Sequence, residues 1–342
     1  MATLYRDGPP AEDGTKQRKA PDGTAAVELR RRLSARITAL EMIRYSWWVH
    51  WRDLADNILP RRYRWLLTPN QWNRGSPING KIINSTGTLA ARNCAAGIMS
   101  GTTSPSRPWF RMTVPDPDIM RDGDVQIWCD EVTKRLMRVM ASSNYYGSKA
   151  VQYLDLVVFG TAPLLIYEDG DTVIRCFNPA AGEYYAWAGP NNDVAGLARK
   201  FTMSAGAVMD EFGAENCSPN VINLCNSALA ARDTEIIVCH IVEPNPDWRP
   251  DGAADLGPGT AGVPRHFRYR EFFWEDGWAG PGFLRCSGFM DKPFSCPRWD
   301  VTGNDAYGRS PGMDALGDIK QLQQEEKRKA QGIDKIEIGR AS

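Results

Sequence analysis

The sequence predicts a mixed α/β protein of the α+β kind, and three observations carry that reading. From Leu29 to Ile58 apolar residues recur three or four apart, as on one face of a long helix. After Leu164 the period drops to two, and short apolar runs alternate with Gly, Asn and Asp turns. Helical spacing returns after Pro311. With 31 glycines and 23 prolines, the connections are long and numerous.

The elements follow in order. Residues 1–24 are polar and rich in breakers, and predict a disordered arm. Ala25 to Ile58 predicts a helix of about 50 Å at 1.5 Å per residue, with Leu29, Leu33, Ile37, Leu40, Ile43, Trp47, Trp51, Leu54 and Ile58 on its stripe and Pro60 ending it. A stripe of that length exceeds what one small domain covers. Trp47, Trp48 and Trp51 are therefore candidate anchors for a subunit interface. A second helix spans Lys81 to Ser100, with Ala90, Ala91, Ala95, Ala96 and Gly97 offering thin packing faces. It breaks at Gly101, before a polar turn that leads to Pro108-Trp109-Phe110, whose two rings are expected to bury against strands after Leu164. Helices over Val125–Met140 and Tyr146–Phe159 come next, the latter stopped by Gly160 and Pro163.

Strands are expected at 164–168 and 172–177 around Asp169-Gly170-Asp171, and at 183–188 and 194–201 around Asn191-Asn192-Asp193. Ser204 is placed to cap a short helix. Further strands fall at 233–242 and 266–274, separated by a Pro/Gly-rich loop from Pro244 to Pro264. The last helix starts near Pro311, with Met313, Leu316, Ile319 and Leu322 as its apolar edge. Beyond Leu322 the run Gln323-Gln324-Glu325-Glu326-Lys327-Arg328-Lys329 has nothing to bury. From the residues alone it is a helix fraying in solvent or one lining a water-filled space.

Composition narrows function by exclusion. The 41 basic and 41 acidic residues cancel, leaving no global field to hold a polyanion or a membrane surface. No run of 18 apolar residues and no signal peptide appears, so neither a membrane span nor secretion is expected. The eight cysteines show no CxxC pair and several sit in apolar runs, which predicts buried reduced thiols and synthesis in a reducing cytosol. No GxxxxGK[ST] is present, and Gly97-Ile-Met-Ser-Gly-Thr-Thr103 lacks the lysine that reaches phosphate. Tyr307-Gly-Arg-Ser-Pro311 sets a serine between glycines, but Pro311 removes the N–H an oxyanion hole would use. His50, His240 and His266 lie apart with no metal-ligand spacing, and Asp116 and Asp118 sit in a proline-rich turn. No catalytic residue, cofactor site or metal site is predicted. A hydrolase with an unrecognised site would need a pocket of convergent acids or bases, and a monomeric adaptor would bind through its tryptophan-rich surface.

One ordered set of segments is informative: Trp51-Arg-Asp-Leu-Ala-Asp56 with Leu59-Pro60, Ser85-Thr86 with Ala90-Ala91, Pro108-Trp109-Phe110, Ser143-Asn144-Tyr145, Phe159-Gly160-Thr161-Ala162, Phe201-Thr-Met203, His240-Ile-Val-Glu-Pro-Asn245, Pro293-Phe294, Arg298-Trp299 and Tyr307-Gly-Arg-Ser-Pro311 with Ala315-Leu316. In that order, from about Arg30 to about Lys329, they resemble the head-to-tail connecting (portal) proteins of podovirus-type tailed bacteriophages. The resemblance implies a portal fold with a disordered arm at 1–24, a mainly helical wing at 25–163, a β-rich wing at 164–306 and the start of a stem helix at 307–342. It implies a non-enzymatic structural subunit that forms a dodecameric ring at one capsid vertex of the virion. Such a ring contacts major capsid and scaffolding proteins, the terminase packaging motor and tail or adaptor proteins, and passes double-stranded DNA non-specifically in packaging and ejection. It also makes the last helix channel-side, with Lys320, Glu325, Glu326, Lys327, Arg328 and Lys329 as candidate DNA-facing residues. Interspersed charges suit a conduit, since a strongly basic wall would hold DNA and stall it. Members of that family continue further than Ser342, so the sequence is expected to be a C-terminally truncated or split copy. A non-enzymatic adaptor of the head-tail interface is the alternative.

Overall fold

The computed structural model describes residues 23–62, 80–227, 229–249, 261–278, 280 and 282–340. The arm expected at 1–24 lies outside them except for its last two residues, as does the centre of the loop expected from Pro244 to Pro264. Among the described residues, seven α-helices and eight strands form two compact units, each drawn from two stretches of chain.

The first unit takes residues 1–45 and 183–292. Strands β3 (Tyr184–Ala188), β4 (Val194–Ser204), β5 (Glu235–Pro244), β6 (Tyr269–Glu275) and β7 (Arg285–Phe289) form an antiparallel sheet in that order. Alternation divides the side chains. Cys239 and Ile241 of β5 and Phe272 and Trp274 of β6 join Leu33, Ile37 and Leu40 of helix α1 (Thr24–Asn57) on one face. Val238 and Phe273 join Val208 and Phe212 of α5 (Ala205–Phe212) and Val221 of α6 (Pro219–Ser227) on the other. With both faces covered, every residue of β6 is buried, Arg270, Glu271 and Glu275 included. Ser204 caps α5 as expected, accepting from the Ala207 N–H at 3.3 Å.

One residue of the predicted α1 stripe is corrected. Ile43 is 62 % exposed, and Arg44 turns inward in its place at 1 %. The Arg44 guanidinium lies 3.9 Å from the centre of the Tyr185 ring and donates to the Tyr184 carbonyl at 2.5 Å. Stacking on an aromatic face and bonding a carbonyl offset the cost of burying that charge. Strand β7 and helix α6 were not foreseen from periodicity.

The second unit takes residues 46–182 and 293–342. It contains the end of α1, helices α2 (Thr86–Thr102), α3 (Gly123–Ser142), α4 (Tyr145–Phe159) and α7 (Pro311–Arg340), and a small sheet ordered β2-β1-β8. Strands β1 (Leu164–Asp169) and β2 (Val173–Phe177) are the expected hairpin, and β8 is the two-residue Phe294–Ser295. Gly87, Ala91 and Ala95 form the buried edge of α2, whereas Ala90, Ala96 and Gly97 face out. The small edge allows close approach: a Cβ at Gly87 would stand 3.0 Å from the Ile319 Cδ1 of α7. Trp109 packs against the cluster of Tyr145, Leu164 and Cys176, and its Nε1 donates to the Tyr146 hydroxyl at 3.2 Å. Trp109 and Phe110 are half-buried there rather than enclosed.

Candidate functional site

Segments far apart in sequence meet at one node in the second unit. α4 ends where Gly160 takes φ +76°, and its carbonyl accepts from the Trp299 N–H at 2.9 Å. The Thr161 hydroxyl then accepts from the Gly308 N–H at 2.8 Å, and the Ser310 hydroxyl donates to the Val158 carbonyl at 2.6 Å. Ser310 also caps α7, since its oxygen accepts from the Met313 N–H at 3.0 Å, two residues after Pro311 fills the first helical position. Trp51 closes the node from α1. Its Nε1 donates to the Phe159 carbonyl at 3.1 Å, and its ring stands edge-on to Tyr307 at 5.1 Å. Phe159-Gly-Thr-Ala162, Arg298-Trp299 and Tyr307-Gly-Arg-Ser-Pro311 are thus one packed joint that sets where α7 begins.

The node also locates the predicted interface tryptophans. Trp51 is fully buried inside its own chain, so truncating it perturbs folding first. Trp47 is half-buried with its ring 5.9 Å from Tyr307, and Trp48 is half-buried. The outward face of this stretch of α1 carries Met42, Ile43, Tyr45 and Val49, all exposed. A wide stripe of alternating large residues gave no way to tell these from the buried set.

α7 leaves the node as a held first half and a bare second half. Gln323, 7 % exposed, is a clamp. Its Oε1 accepts from the Ile83 and Asn84 N–H groups at 2.7 and 2.8 Å, and its Nε2 donates to the Asn84 carbonyl at 2.7 Å. Lys320 pairs with Asp53, and Glu326 accepts from the Asn84 amide at 3.4 Å. Glu325 accepts from Gln321 one turn earlier at 2.8 Å. Lys327, Arg328 and Lys329 are exposed and make no ion pair among the described residues. Of the six candidate channel residues, then, Lys320 and Glu326 are tied to the chain's own body and three cations are bare. Sequence reasoning missed Gln323, because a glutamine in a polar run gives no sign that it is buried.

A pocket of about 310 Å³ beside the node is lined by Trp47, His50, Asp300, Asp305, Tyr307 and Arg309, among others. Burial, helped by Arg309, lowers the pKa of His50. Arg309 is engaged with Asp314 at 2.8 Å. Ser46 and Thr302 also line it, and among the described residues neither is hydrogen-bonded to His50. Among the described residues no group of three or more His, Cys, Asp or Glu is arranged to hold a metal, and no helix is long and apolar enough to cross a membrane.

The His240 segment lies in the first unit and forms a buried ladder across four strands. Arg199 Nε of β4 donates to His240 Nδ1 at 3.0 Å, and His240 Nε2 meets Glu271 Oε1 of β6 at 2.7 Å. The Ser287 hydroxyl of β7 donates to Glu271 Oε2 at 2.6 Å. Because Arg199 only donates, the imidazole proton sits on Nε2 and goes to Glu271. Burial pushes the His240 pKa down to about 4. Burial would raise the Glu271 carboxyl, but the bonds from His240 and Ser287 overcome it and hold it below its ordinary value. Serine, histidine and glutamate are all present, yet the serine bonds the glutamate, and the histidine is wholly buried and stacked on Phe273 at 4.1 Å. The ladder holds a sheet together and presents no nucleophile. At the end of β5, Asn245 donates to the Phe267 carbonyl at 2.9 Å, two residues before β6 begins. All eight cysteines are free, five of them buried, and burial pushes Cys239 and Cys286 up to about 12.

The comparisons with known proteins fall on the same segments. A portal protein of Salmonella phage epsilon15 is 39 % identical over 305 residues, covering 89 % of this chain and 52 % of that protein. A probable portal protein of Bordetella phage BPP-1 is 36 % identical over 305 residues, covering 89 % and 53 %. The chain therefore spans about half the length of the curated relatives it matches. The family described as bacteriophage head to tail connecting protein matches residues 30–338, a stretch that takes in the node, the buried ladder and nearly all of α7. On that extent of match, the chain belongs to the bacteriophage head to tail connecting protein family.

Proposed function

We propose that this chain is a structural subunit of a phage portal, a ring at one capsid vertex of the virion through which double-stranded DNA is packaged and ejected and to which the tail attaches. The observation that carries the reading is α7. A node of family segments fixes its start, Gln323 and Lys320 hold its first half, and beyond them the polar run through Lys327, Arg328 and Lys329 extends exposed, followed by the exposed Ile333 and Ile336. A helix stabilised at one end and bare at the other suits the wall of a water-filled channel better than a core.

In this reading residues 25–163 and 164–306 form the helical and β-rich parts of a wing, residues 307–342 begin the stem, and the arm at 1–24 precedes them. Lys320, Glu325, Glu326, Lys327, Arg328 and Lys329 mark the channel side, with Lys327, Arg328 and Lys329 nearest to moving phosphates. Trp47 and Trp48, with Trp51 behind them, support the subunit contact. The ring is a dodecamer, its partners are capsid and scaffolding proteins, the packaging motor and tail proteins, and it carries out no catalysis and needs no cofactor. The subunit is made in the cytoplasm of the bacterial host. Electron microscopy of the purified chain tests this: closed rings with a central hole are expected, and a compact monomer at all concentrations would overturn it.

A further inference from the structure

Two surfaces of opposite character stand bare on different elements. The first is the outward face of α1 up to Tyr45, opposite the Leu33, Ile37 and Leu40 stripe that packs on the sheet. It begins with Arg31 and Arg32 and ends with Met42, Ile43 and Tyr45, all exposed, Met42 at 75 %. Ala35 and Ala39 lie between these ends and leave a shallow floor. Other arginines of the run are taken up by aromatic rings, Arg30 over Trp278 at 5.7 Å and Arg36 over Trp187 at 5.1 Å. Arg31 and Arg32 pair with no acid among the described residues, although Glu28 stands one turn before them. The second surface is the entry to α3. Residues 116–128 hold four aspartates against Arg121, which is itself paired with Asp118. The Asp124 carboxylate has no cation beside it among the described residues. The same stretch exposes Ile119, Ile127 and Trp128, the last at 61 %. Large apolar groups left in water among charges of one sign mark a surface that something covers.

We propose that these surfaces meet between copies of the chain, the entry of α3 in one copy seated on the outward face of α1 in the next. The inference rests on the ring reading. A closed ring repeats one contact between unlike surfaces, and here each chain carries one of each kind on separate elements, so every copy gives one and receives one. The spacing fits. Along the axis of α1 the Ala35 and Ala39 floor is centred about 8 Å from the arginine pair and about 8 Å from Met42 and Ile43. With the Trp128 ring on that floor, Asp124, one turn or about 6 Å earlier on α3, comes within reach of Arg31 and Arg32, and Ile127 covers Met42. Past the crossing point the helices diverge, and Glu131 and Arg135, already paired at 3.0 Å, are left outside. Matched signs set the orientation, and the aromatic anchor supplies most of the affinity. A nucleic acid would also use Arg31 and Arg32, but it would gain nothing from Met42, Ile43 and Tyr45 on the same face, which favours a protein partner.

The test is charge reversal with rescue by mixing, in the full chain, with ring fraction measured by sedimentation across protein concentration. Arg31→Glu with Arg32→Glu spoils the receiving face, and Asp116→Arg with Asp124→Arg spoils the inserting one. Each pair of changes is expected to raise the assembly midpoint about fivefold to tenfold, the scale of two exposed pairs turned repulsive. Mixed in equal amounts, the two variants make every contact complementary when they alternate around a ring, and the midpoint should return to within about threefold of wild type. Mixing rescues a contact between chains and leaves a folding defect within either chain unrepaired. Trp128→Ala should raise the midpoint by at least about tenfold with an unchanged thermal melt, because the ring is exposed in the single chain. Variants that assemble like wild type, or a mixture no better than its components, overturn the contact and leave the ring reading standing. Reversal of Arg31 and Arg32 that lowers DNA retention without moving assembly assigns that face to nucleic acid and overturns the contact as well. No rings from wild type at any concentration would overturn both readings.

Discussion

At Gly160 the chain takes a left-handed backbone turn with no room for a side chain, since a Cβ there would stand 2.1 Å from the Gly308 carbonyl oxygen. Gly160→Ala must open the node or strain it. It is expected to cost about 2 to 5 kcal/mol, the sum of the left-handed penalty and overpacking. A thermal melt within error of wild type would show that the node yields. The His240 ladder makes a second prediction, with a sign. Unfolded histidine titrates near 6.5 and folded His240 near 4, so between those values the unfolded chain binds a proton that the folded chain refuses. Stability should therefore fall as pH drops through that window, and Glu271, whose folded pKa is depressed, extends the loss to lower pH. His50 adds slope of the same sign, whereas Asp155, pushed up to about 6 by burial against the pull of Arg62, adds slope of the opposite sign. His240→Asn isolates the ladder, because the other groups cancel in the comparison. Chemical denaturation from pH 7 to 4 should give a flatter slope for the variant, and equal slopes would mean that His240 titrates normally.

Among elements, α7 depends on a clamp that nothing in its own pattern announces. Gln323→Ala removes three hydrogen bonds and leaves the Ile83 and Asn84 backbone groups to water or to nothing. We expect a loss of about 1–2 kcal/mol and faster amide exchange at 83 and 84, where groups are only partly covered. Unchanged exchange at those amides would remove the clamp from the account. The contrast between Gln323 and its neighbours marks what the sequence makes legible. Punctuation was readable: Gly160 stops α4, Ser204 caps α5, Pro311 opens α7, and Asp-Gly-Asp turns β1 into β2, because each acts through its own backbone. Long-range roles were not. Arg44 faces inward only because Tyr184 and Tyr185 lie opposite it, and β8, at two residues, is too short for periodicity to show. The site itself was half legible. The segments that build the node could be quoted in order, but their meeting at Trp51 and Gly308 depends on contacts spanning more than a hundred residues.

For the whole molecule, the channel reading makes a claim about moving DNA. Glu326→Lys adds one cation per copy next to Lys327, Arg328 and Lys329. Assembled rings carrying it should retain DNA more strongly and lose it more steeply with salt. Matching salt slopes for variant and wild type would take the second half of α7 away from the duplex. The way the two units share the chain has a different outcome, one that concerns synthesis. The apolar stripe of α1 that covers the first unit's sheet is complete by residue 45, but the strands it packs on run from Tyr184 to Phe289. At ~5–20 residues per second, those strands emerge about 10 to 50 s later. Throughout that interval Leu33, Ile37 and Leu40 have no partner on a growing chain, and copies made on one message sit close together. A nascent chain is thus more adhesive along this stripe than the finished first unit, in which the sheet covers it.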